Sequence, residues 1–204
     1  MSGDQNMEQA ILDCATSLFL EKGFKATSTT EIAKKAGCNQ ALVHYYYRTK
    51  DRLFDAIFEK KMKFFVGSLM QINQEDLPFE AKLARKVEAH FDAIMEEPQL
   101  PIFLFSEIST NPERLVLLKE KLGDLPAQVF AAMKEELEHE IALGNVRPIS
   151  VLDLMITIVS LNIMIFIAAP MFKTISGISD EDFAKLRARR KKENVQIVLN
   201  SLKP

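Results

Sequence analysis

The most constraining part of the chain is the segment from Thr27 to Leu53, where two short helical patterns flank a tight turn. Ser28 and Glu31 have the spacing of a capping box, in which a hydroxyl and a carboxylate satisfy amides at the start of a helix. Gly37 supplies the left-handed residue that ends this helix at low conformational cost. Asn39 is a favourable N-cap for a second helix. The segment therefore predicts two short helices joined by a glycine turn.

Residues at three positions of this segment predict a helix-turn-helix. Ala33 leaves room for the second helix, Gly37 forms the turn, and Val43 locks the two helices together. All three tyrosines of the chain are consecutive, at positions 45–47. The outward face of the second helix carries no carboxylate and consists of Gln40, Ala41, His44 and Tyr45. The alternative is a helical hairpin that only packs, which would require the spacing and the outward face both to be accidental.

The segment resembles the DNA-binding domain of the TetR family of bacterial transcriptional regulators, and the resemblance extends to about residue 60. The matching elements are, in order, Gly23-Phe24, Thr27-Ser28, Ile32-Ala33, Ala36-Gly37, Tyr45 to Tyr47, Lys50 and Leu53. The residues that differ from those common in the family are Cys38, Asn39, Ala41, His44 and Tyr46. Because these differences fall on the surface that would read DNA, they leave the fold unchanged and bear on the operator sequence.

The resemblance implies that the second helix lies in the major groove of double-stranded operator DNA. The amide of Gln40 suits an adenine edge, and the small side chain of Ala41 suits a thymine methyl group. Contacts to phosphates or further base edges are expected from Thr27, Thr29, Asn39, His44, Tyr45, Tyr46 and Lys50. Two-fold symmetry of a dimer would make the operator palindromic.

Charge is distributed unevenly along this chain, whose formal net charge is −2. Between Glu21 and Lys63 there are ten Lys or Arg residues against five Asp or Glu residues, which gives this segment a charge of +5. A basic head on an acidic remainder fits a protein that binds nucleic acid better than the overall charge suggests.

The residue patterns of an enzyme are missing from the sequence. There is no Ser-His-Asp set, no metal-ligand spacing, no glycine-rich phosphate loop and no convincing pair of carboxylates. We therefore expect no catalysis, no metal and no cofactor. Cys14 and Cys38 are expected to be reduced thiols. The N-terminal residues are polar and do not have the pattern of a signal peptide. The expected location is the cytoplasm.

The apolar pattern predicts helices throughout and no convincing strand. A first helix over about 5–21 completes a helix-turn-helix DNA-binding domain over 1–49, and a long helix over 50–73 connects it to a helical body over 74–204. Body helices are expected at about 79–97, 102–109, 112–123, 124–144 and 151–172, and from 179 to near the C-terminus. The predicted fold class is all-α, with an N-terminal three-helix DNA-binding domain and a C-terminal helical domain for ligand binding and dimerisation.

The segment from Leu154 to Ala169 is apolar at 13 of 16 positions, so a membrane span has to be considered. It is shorter than the about 20 apolar residues that a span needs. Asp153 and Pro170 bound it, and Asn162 interrupts it. We therefore expect a buried helix that a second copy of the chain helps to cover, in a homodimer formed through about 150–169 and 180–202, with no membrane contact.

The body is expected to bind a small apolar or amphipathic effector, although the same apolar pattern is typical of an ordinary core. The expected lining residues are His90, Phe91, Phe103, Phe105, Phe130, Met133 and Phe166. For His90 we favour the alternative of a hydrogen-bonded core histidine. Glu107 lies among apolar residues of a short helix, where its carboxylate could orient a cationic ligand. We expect instead that it faces solvent.

Together these features predict a ligand-responsive, homodimeric transcriptional regulator, and more specifically a repressor that an effector releases from its operator. The alternative is a helical homodimeric interaction protein without specific DNA binding. The two hypotheses differ in whether the affinity for DNA depends on Gln40 and Tyr45.

Overall fold

The structure, a computed structural model, describes residues 2–204 and, of their side chains, those from Asn6 onward. Residues 2–204 form eleven helices and no strand, which confirms the predicted all-α class. The helices are α1 (Ser2–Lys22), α2 (Thr29–Lys35), α3 (Gln40–Tyr47), α4 (Lys50–Asn73), α5 (Phe79–Glu96), α6 (Leu100–Thr110), α7 (Glu113–Leu122), α8 (Leu125–Ala142), α9 (Val151–Ile167), α10 (Ala169–Ser176) and α11 (Asp180–Ser201).

Packing divides the chain into two compact units. The first contains residues 2–63 together with Phe103–Leu122, and the second contains Phe64–Ile102 together with Gly123–Pro204. Helix α4 contributes residues to both units. The domains predicted at 1–49, 50–73 and 74–204 follow the order of elements along the sequence. The units follow contacts between residues, and the two divisions therefore differ.

The helix-turn-helix is specified by hydrogen bonds within its own segment. Ser28 caps α2 by accepting a hydrogen bond from the Glu31 amide at 3.2 Å, and the Glu31 carboxylate accepts one from the Ser28 amide at 3.0 Å. Gly37 has a φ of +70°, a conformation in which a side chain would be strained. Asn39 caps α3 by accepting a hydrogen bond from the Leu42 amide at 2.9 Å. The predicted capping box, turn and second cap are all present.

Helix α6 from Phe103 onward and all of α7 belong to the first unit, although the sequence predicts that they are part of the body. Phe103 lies with its ring centre 6.3 Å from that of Phe19 and 5.4 Å from that of Phe54. Leu118 and Leu122 of α7 are at most 9 % exposed in the same core. The apolar pattern did not indicate this placement, because the contacts join residues that are far apart in the sequence.

The Arg114 guanidinium of α7 is the centre of the polar contacts in this unit. Its side chain is only 9 % exposed, and its Nη2 and Nη1 donate to Asp51 at 2.5 Å and to Asp55 at 2.9 Å. Its Nε lies 3.9 Å from a Glu107 oxygen. The expectation that Glu107 faces solvent is wrong, since Glu107 is 7 % exposed. The guanidinium supplies the compensating charge that allows this carboxylate to be buried.

Two aromatic rings complete the surroundings of the Arg114 guanidinium. The guanidinium carbon lies 4.7 Å from the centre of the Phe24 ring and 4.5 Å from the centre of the Phe54 ring. A cation over a ring face is attracted by the ring quadrupole, and the attraction is larger where water is excluded. Arg114 therefore holds α7 to the residues just before α2 and to the start of α4.

The second unit has a core formed by α5, α8, α9 and α11. Two amide side chains with no exposed surface, Asn162 and Asn194, cross this core. Asn194 donates to the Asn162 oxygen at 2.8 Å, and Asn162 donates to the backbone carbonyl of Val87 at 2.8 Å. Because buried amides are stable only when their hydrogen bonds are formed, these bonds fix the register of α5, α9 and α11.

The single helix expected over 151–172 is in fact two helices with a bend of 58° between them. Helix α9 ends at Ile167, and Pro170 lies in the first turn of α10. Proline has no N–H with which to continue the hydrogen bonds of α9, so the chain turns there. Within residues 2–204, no one helix meets the length and hydropathy that crossing a membrane requires, and α9 and α10 meet them only when taken together across the bend.

Replacing Arg114 with methionine should lower the free energy of unfolding by about 3 kcal/mol, because Glu107 and Asp55 would lose their shared cation in a largely buried place. Urea denaturation followed by circular dichroism measures this change. Lys121→Met is the matched control on the same helix, since Lys121 pairs with Glu59 at the surface and should contribute less than about 1 kcal/mol. Equal losses in the two variants would contradict the central role of Arg114.

Candidate nucleic-acid interface

Helix α3 is fixed on one side and open on the other. Val43 and Tyr47 are 2 % and 8 % exposed in the core of the first unit. The residues predicted for the outward face, Gln40, Ala41, His44 and Tyr45, are all exposed. Tyr45 is 73 % exposed. The structure therefore brings the four predicted residues together on one accessible surface, which we call the α3 face.

A chain of hydrogen bonds orders the polar groups of the α3 face. The Gln40 amide nitrogen lies 3.0 Å from the Thr29 hydroxyl and 3.3 Å from His44 Nε2. His44 Nδ1 lies 2.9 Å from the Arg48 carbonyl oxygen, so Nδ1 carries the proton and Nε2 accepts from Gln40. With its nitrogen engaged, Gln40 offers its Oε1 oxygen to an incoming donor. Pairing with both groups of an adenine edge would require the amide to leave Thr29 and His44.

The three consecutive tyrosines have different roles. Tyr47 is buried and donates through its hydroxyl to Glu8 at 3.2 Å, which ties α3 to α1, and burial raises its pKa. Tyr45 and Tyr46 meet edge to face, with ring centres 5.3 Å apart. This contact limits the orientations of the exposed Tyr45 ring. Only Tyr45 and the half-buried Tyr46 remain accessible to a nucleic acid.

Thr27 and Lys50, both predicted to contact the DNA backbone, are engaged within the fold. Thr27 is 1 % exposed, and its hydroxyl lies 2.9 Å from the Gly23 carbonyl and 3.1 Å from the Leu18 carbonyl. The Lys50 ammonium donates to the carbonyls of Phe24 and Thr27, both at 2.8 Å. These bonds hold the loop between α1 and α2 against the start of α4.

Arg48 joins α3 to α4 in a backbone conformation that no sequence pattern indicated. Its φ is 57° and its ψ is −46°. The Thr49 amide donates to the Tyr47 carbonyl at 2.5 Å, which closes a γ-turn of the rare form with positive φ. Such a conformation costs on the order of 1–3 kcal/mol and persists only where the surroundings impose it. The bond between His44 and the Arg48 carbonyl is one such constraint.

The predicted effector-lining residues do not form one cluster. Phe103 and Phe105 belong to the first unit, where Phe103 is half-buried and packs against the core and Phe105 is 55 % exposed. The other five belong to the second unit. Phe91 and Phe166 pack with ring centres 5.2 Å apart and are at most 6 % exposed. Met133 is likewise 6 % exposed and Phe130 is 37 % exposed.

His90 has the environment of a core histidine. Its Nδ1 lies 3.1 Å from the Asn162 amide nitrogen and therefore accepts a hydrogen bond, and the Phe65 ring lies 5.4 Å from the imidazole. Burial lowers the pKa of His90 to about 4. The imidazole is consequently neutral near pH 7, and its Nε2 carries the proton.

A group of charged residues in the second unit was missed by the sequence analysis. Lys82 and Lys86, four residues apart on α5, both contact Glu136 of α8. The spacing of the two lysines was visible in the sequence, but their shared partner lies about fifty positions later. Such a contact between distant residues leaves no local signal.

Metal binding and thiol chemistry find no support in the described side chains. No group of three or more His, Cys, Asp or Glu side chains from Asn6 onward is placed to hold a metal ion. Cys14 and Cys38 are free and half-buried. Burial raises the pKa of the Cys38 thiol, which keeps it in the less reactive protonated form.

Comparison with known proteins relates this chain to regulators. Residues 11–57 match the family model described as bacterial regulatory proteins, tetR family. The HTH-type transcriptional regulator YhgD of Bacillus subtilis is 26% identical over 142 residues, which cover 69% of this chain and 72% of that protein.

Two solved structures share the fold. A putative fatty acid metabolism regulator of Clostridium perfringens superposes with a TM-score of 0.71 at 16% identity, over 96% of this chain and 99% of that chain. The transcriptional regulator FadR of Bacillus subtilis, in complex with stearoyl-CoA, superposes with a TM-score of 0.65 at 16% identity, over 95% and 98%. At this level of identity the likeness concerns the fold alone.

The stability of the protein should fall as the pH is lowered from 6.5 to about 4, in part because of His90. In this window the unfolded chain binds a proton at His90, whereas the folded protein binds it only near pH 4. Urea denaturation at several pH values should show a shallower decline for His90→Gln than for the wild type. His139→Gln, at an exposed position, should keep the wild-type slope. Parallel declines in wild type and His90→Gln would show that the folded imidazole is not protected from protonation.

Proposed function

Because the chain belongs to the TetR family of bacterial regulatory proteins, we propose that it is a homodimeric repressor that a small apolar or amphipathic molecule releases from a palindromic operator. The observation that carries this proposal is the α3 face, an exposed, carboxylate-free helix surface with capped ends and ordered polar groups. A recognition helix needs such a surface, because it approaches a negatively charged groove and reads base edges there. The cytoplasm, where operator DNA lies, is the proposed location.

In the proposed complex the α3 face and its neighbours contact DNA. Ala41 is exposed and small enough to meet a thymine methyl group. Gln40 offers Oε1 to an amino group on a base edge, and Tyr45 offers a hydroxyl and a ring. The further contacts are assigned to Thr29, Asn39, His44 and Tyr46. Thr27 and Lys50 support this surface from within, since their polar groups hold the preceding loop.

Dimer formation is proposed through the predicted segments 150–169 and 180–202. Within α9, Leu152, Ile156 and Met164 are 55–58 % exposed on the side away from the core, and Ile197 of α11 is 39 % exposed. Burying such a surface against a second copy would remove it from water. Two recognition helices related by two-fold symmetry would then meet half-sites about 34–36 Å apart, or a multiple of that spacing.

The effector is proposed to bind in the second unit. FadR of Bacillus subtilis, whose solved structure contains stearoyl-CoA, shares the fold of this chain. A bound molecule changes DNA affinity only if it binds one conformation of the dimer better than another. Helix α4 is the element best suited to transmit such a difference, because its residues belong to both units and its first turn follows the α3 face directly.

Gln40→Ala and Tyr45→Ala should each weaken binding to the specific operator about tenfold, because each removes a contact to a base or its phosphate. Fluorescence anisotropy on DNA from upstream of the protein's own gene, compared with scrambled DNA of equal length, measures this. Gln128→Ala, at an exposed position of α8, should bind as the wild type does. If the protein binds both DNAs weakly and neither substitution changes the affinity, the alternative of a helical interaction protein without specific DNA binding is favoured.

Ile156→Glu should convert the dimer to a monomer, because it would place a charge in the centre of the proposed apolar contact. Size-exclusion chromatography with light scattering measures the mass directly. Leu143→Glu is the matched control, since Leu143 is an apolar residue with 60 % exposure outside α9 and α11. A dimeric Ile156→Glu variant would place the interface elsewhere.

A further inference from the structure

We propose that Lys82 and Lys86 of α5 bind the negatively charged head group of the effector, which is therefore an amphiphile ending in a carboxylate or a phosphate. The inference rests on the proposed regulatory function and narrows the class of effector. Both lysines reach Glu136 of α8, with the Lys82 ammonium 2.8 Å and the Lys86 ammonium 3.3 Å from its two carboxylate oxygens.

The charges of this cluster do not balance. Two ammonium groups share one carboxylate, and the side chains of Lys86, Lys82 and Glu136 are only 8 %, 15 % and 26 % exposed. The Lys86 ammonium has three N–H bonds to satisfy, and among the described residues it donates to Glu136. A buried cation without its own counter-charge is unfavourable, and burial accordingly lowers the pKa of Lys86. One bound anion would neutralise the cluster.

A second observation concerns Asn73, whose backbone contacts the cluster. The backbone carbonyl of Asn73, the last residue of α4, accepts a hydrogen bond from Lys82 at 3.2 Å. Both polar atoms of the Asn73 side chain are buried, and neither has a hydrogen-bond partner among the residues that the structure describes. Buried amide groups without partners are uncommon in folded proteins. The oxygens of a head group bound by Lys82 would give the Asn73 amide nitrogen an acceptor.

Apolar groups continue from the cluster along both helices. One turn beyond Lys86 on α5 lies the neutral His90, with the Phe65 ring 5.4 Å from it. One turn before Glu136 on α8 lies Met133, and Phe130 precedes it. Cations at one end and apolar or neutral groups at the other match a molecule with a charged head and an apolar body.

The test compares three probes that share one alkyl chain: dodecanoate, dodecyl phosphate and dodecanol. Isothermal titration calorimetry with the full-length protein, at probe concentrations below micelle formation, gives each dissociation constant. We expect at least one of the two anions to bind about tenfold or more tightly than dodecanol, as a charge-assisted hydrogen bond in a buried place would produce. The comparison of the two anions distinguishes a carboxylate site from a phosphate site.

Two substitutions separate an anion site from an ordinary ion-pair cluster. Lys86→Met keeps a side chain of similar length and leaves Lys82 and Glu136 as a balanced pair, so the preference for anions should disappear while dodecanol affinity remains. Glu136→Gln leaves two uncompensated cations, so anion affinity should increase about tenfold. Lys134→Met, at a lysine of α8 that is 54 % exposed, should retain the wild-type preference. If the ion pairs are purely structural, neither Lys86→Met nor Glu136→Gln should change the preference for anions over dodecanol.

The proposal is overturned if wild-type protein binds dodecanol as tightly as both anions, if it binds none of the three, or if Lys86→Met retains the preference. Circular dichroism melting curves verify that each variant is folded. Specific operator binding by the ligand-free wild type is measured separately by anisotropy. A failed regulator hypothesis therefore appears in the DNA measurement, whereas a failed anion site appears in the titrations.

Discussion

The first unit depends on the burial of one guanidinium. Arg114 pairs with carboxylates of α4 and α6 and lies over two aromatic rings. It therefore connects α7 to residues as far back in the sequence as Phe24. Without this cation the buried carboxylate of Glu107 would lose its counter-charge. Helices α6 and α7 consequently help to support the α3 face. A change in their position would also change the packing of the helix-turn-helix.

The parts of the fold that sequence reasoning reached are those with local causes. The capping box at Ser28, the turn at Gly37 and the cap at Asn39 each depend on residues within one turn of helix. The bounds of α4 follow from an uninterrupted apolar stripe for the same reason. The exposed residues of α3 could also be predicted, because an inward Val43 and Tyr47 fix which residues face outward.

What the sequence did not reveal depends on contacts between distant residues. Phe103 packs against the first core through residues of α1 and α4, and Lys82 and Lys86 share a carboxylate about fifty positions later. Glu107 is buried because Arg114 of the next helix also pairs with Asp51 and Asp55 of α4. The bend after α9 was missed for a different reason. Pro170 bounds the apolar segment inside a single expected helix over 151–172, whereas a proline is also well suited to the first turn of a new helix.

The engagement of Lys50 has a consequence for how binding would respond to ionic strength. Helix α3 contains no Lys or Arg, and two of the three N–H bonds of Lys50 are used by backbone carbonyls. DNA affinity falls more steeply with salt concentration when more phosphates are neutralised by cationic side chains. The reason is that each neutralised phosphate releases its condensed counterions. A surface made of amides, hydroxyls and an aromatic ring releases few of these counterions. The α3 face would then add little to the salt dependence of operator binding, which the exposed cations of the surrounding segment, with its charge of +5, would dominate.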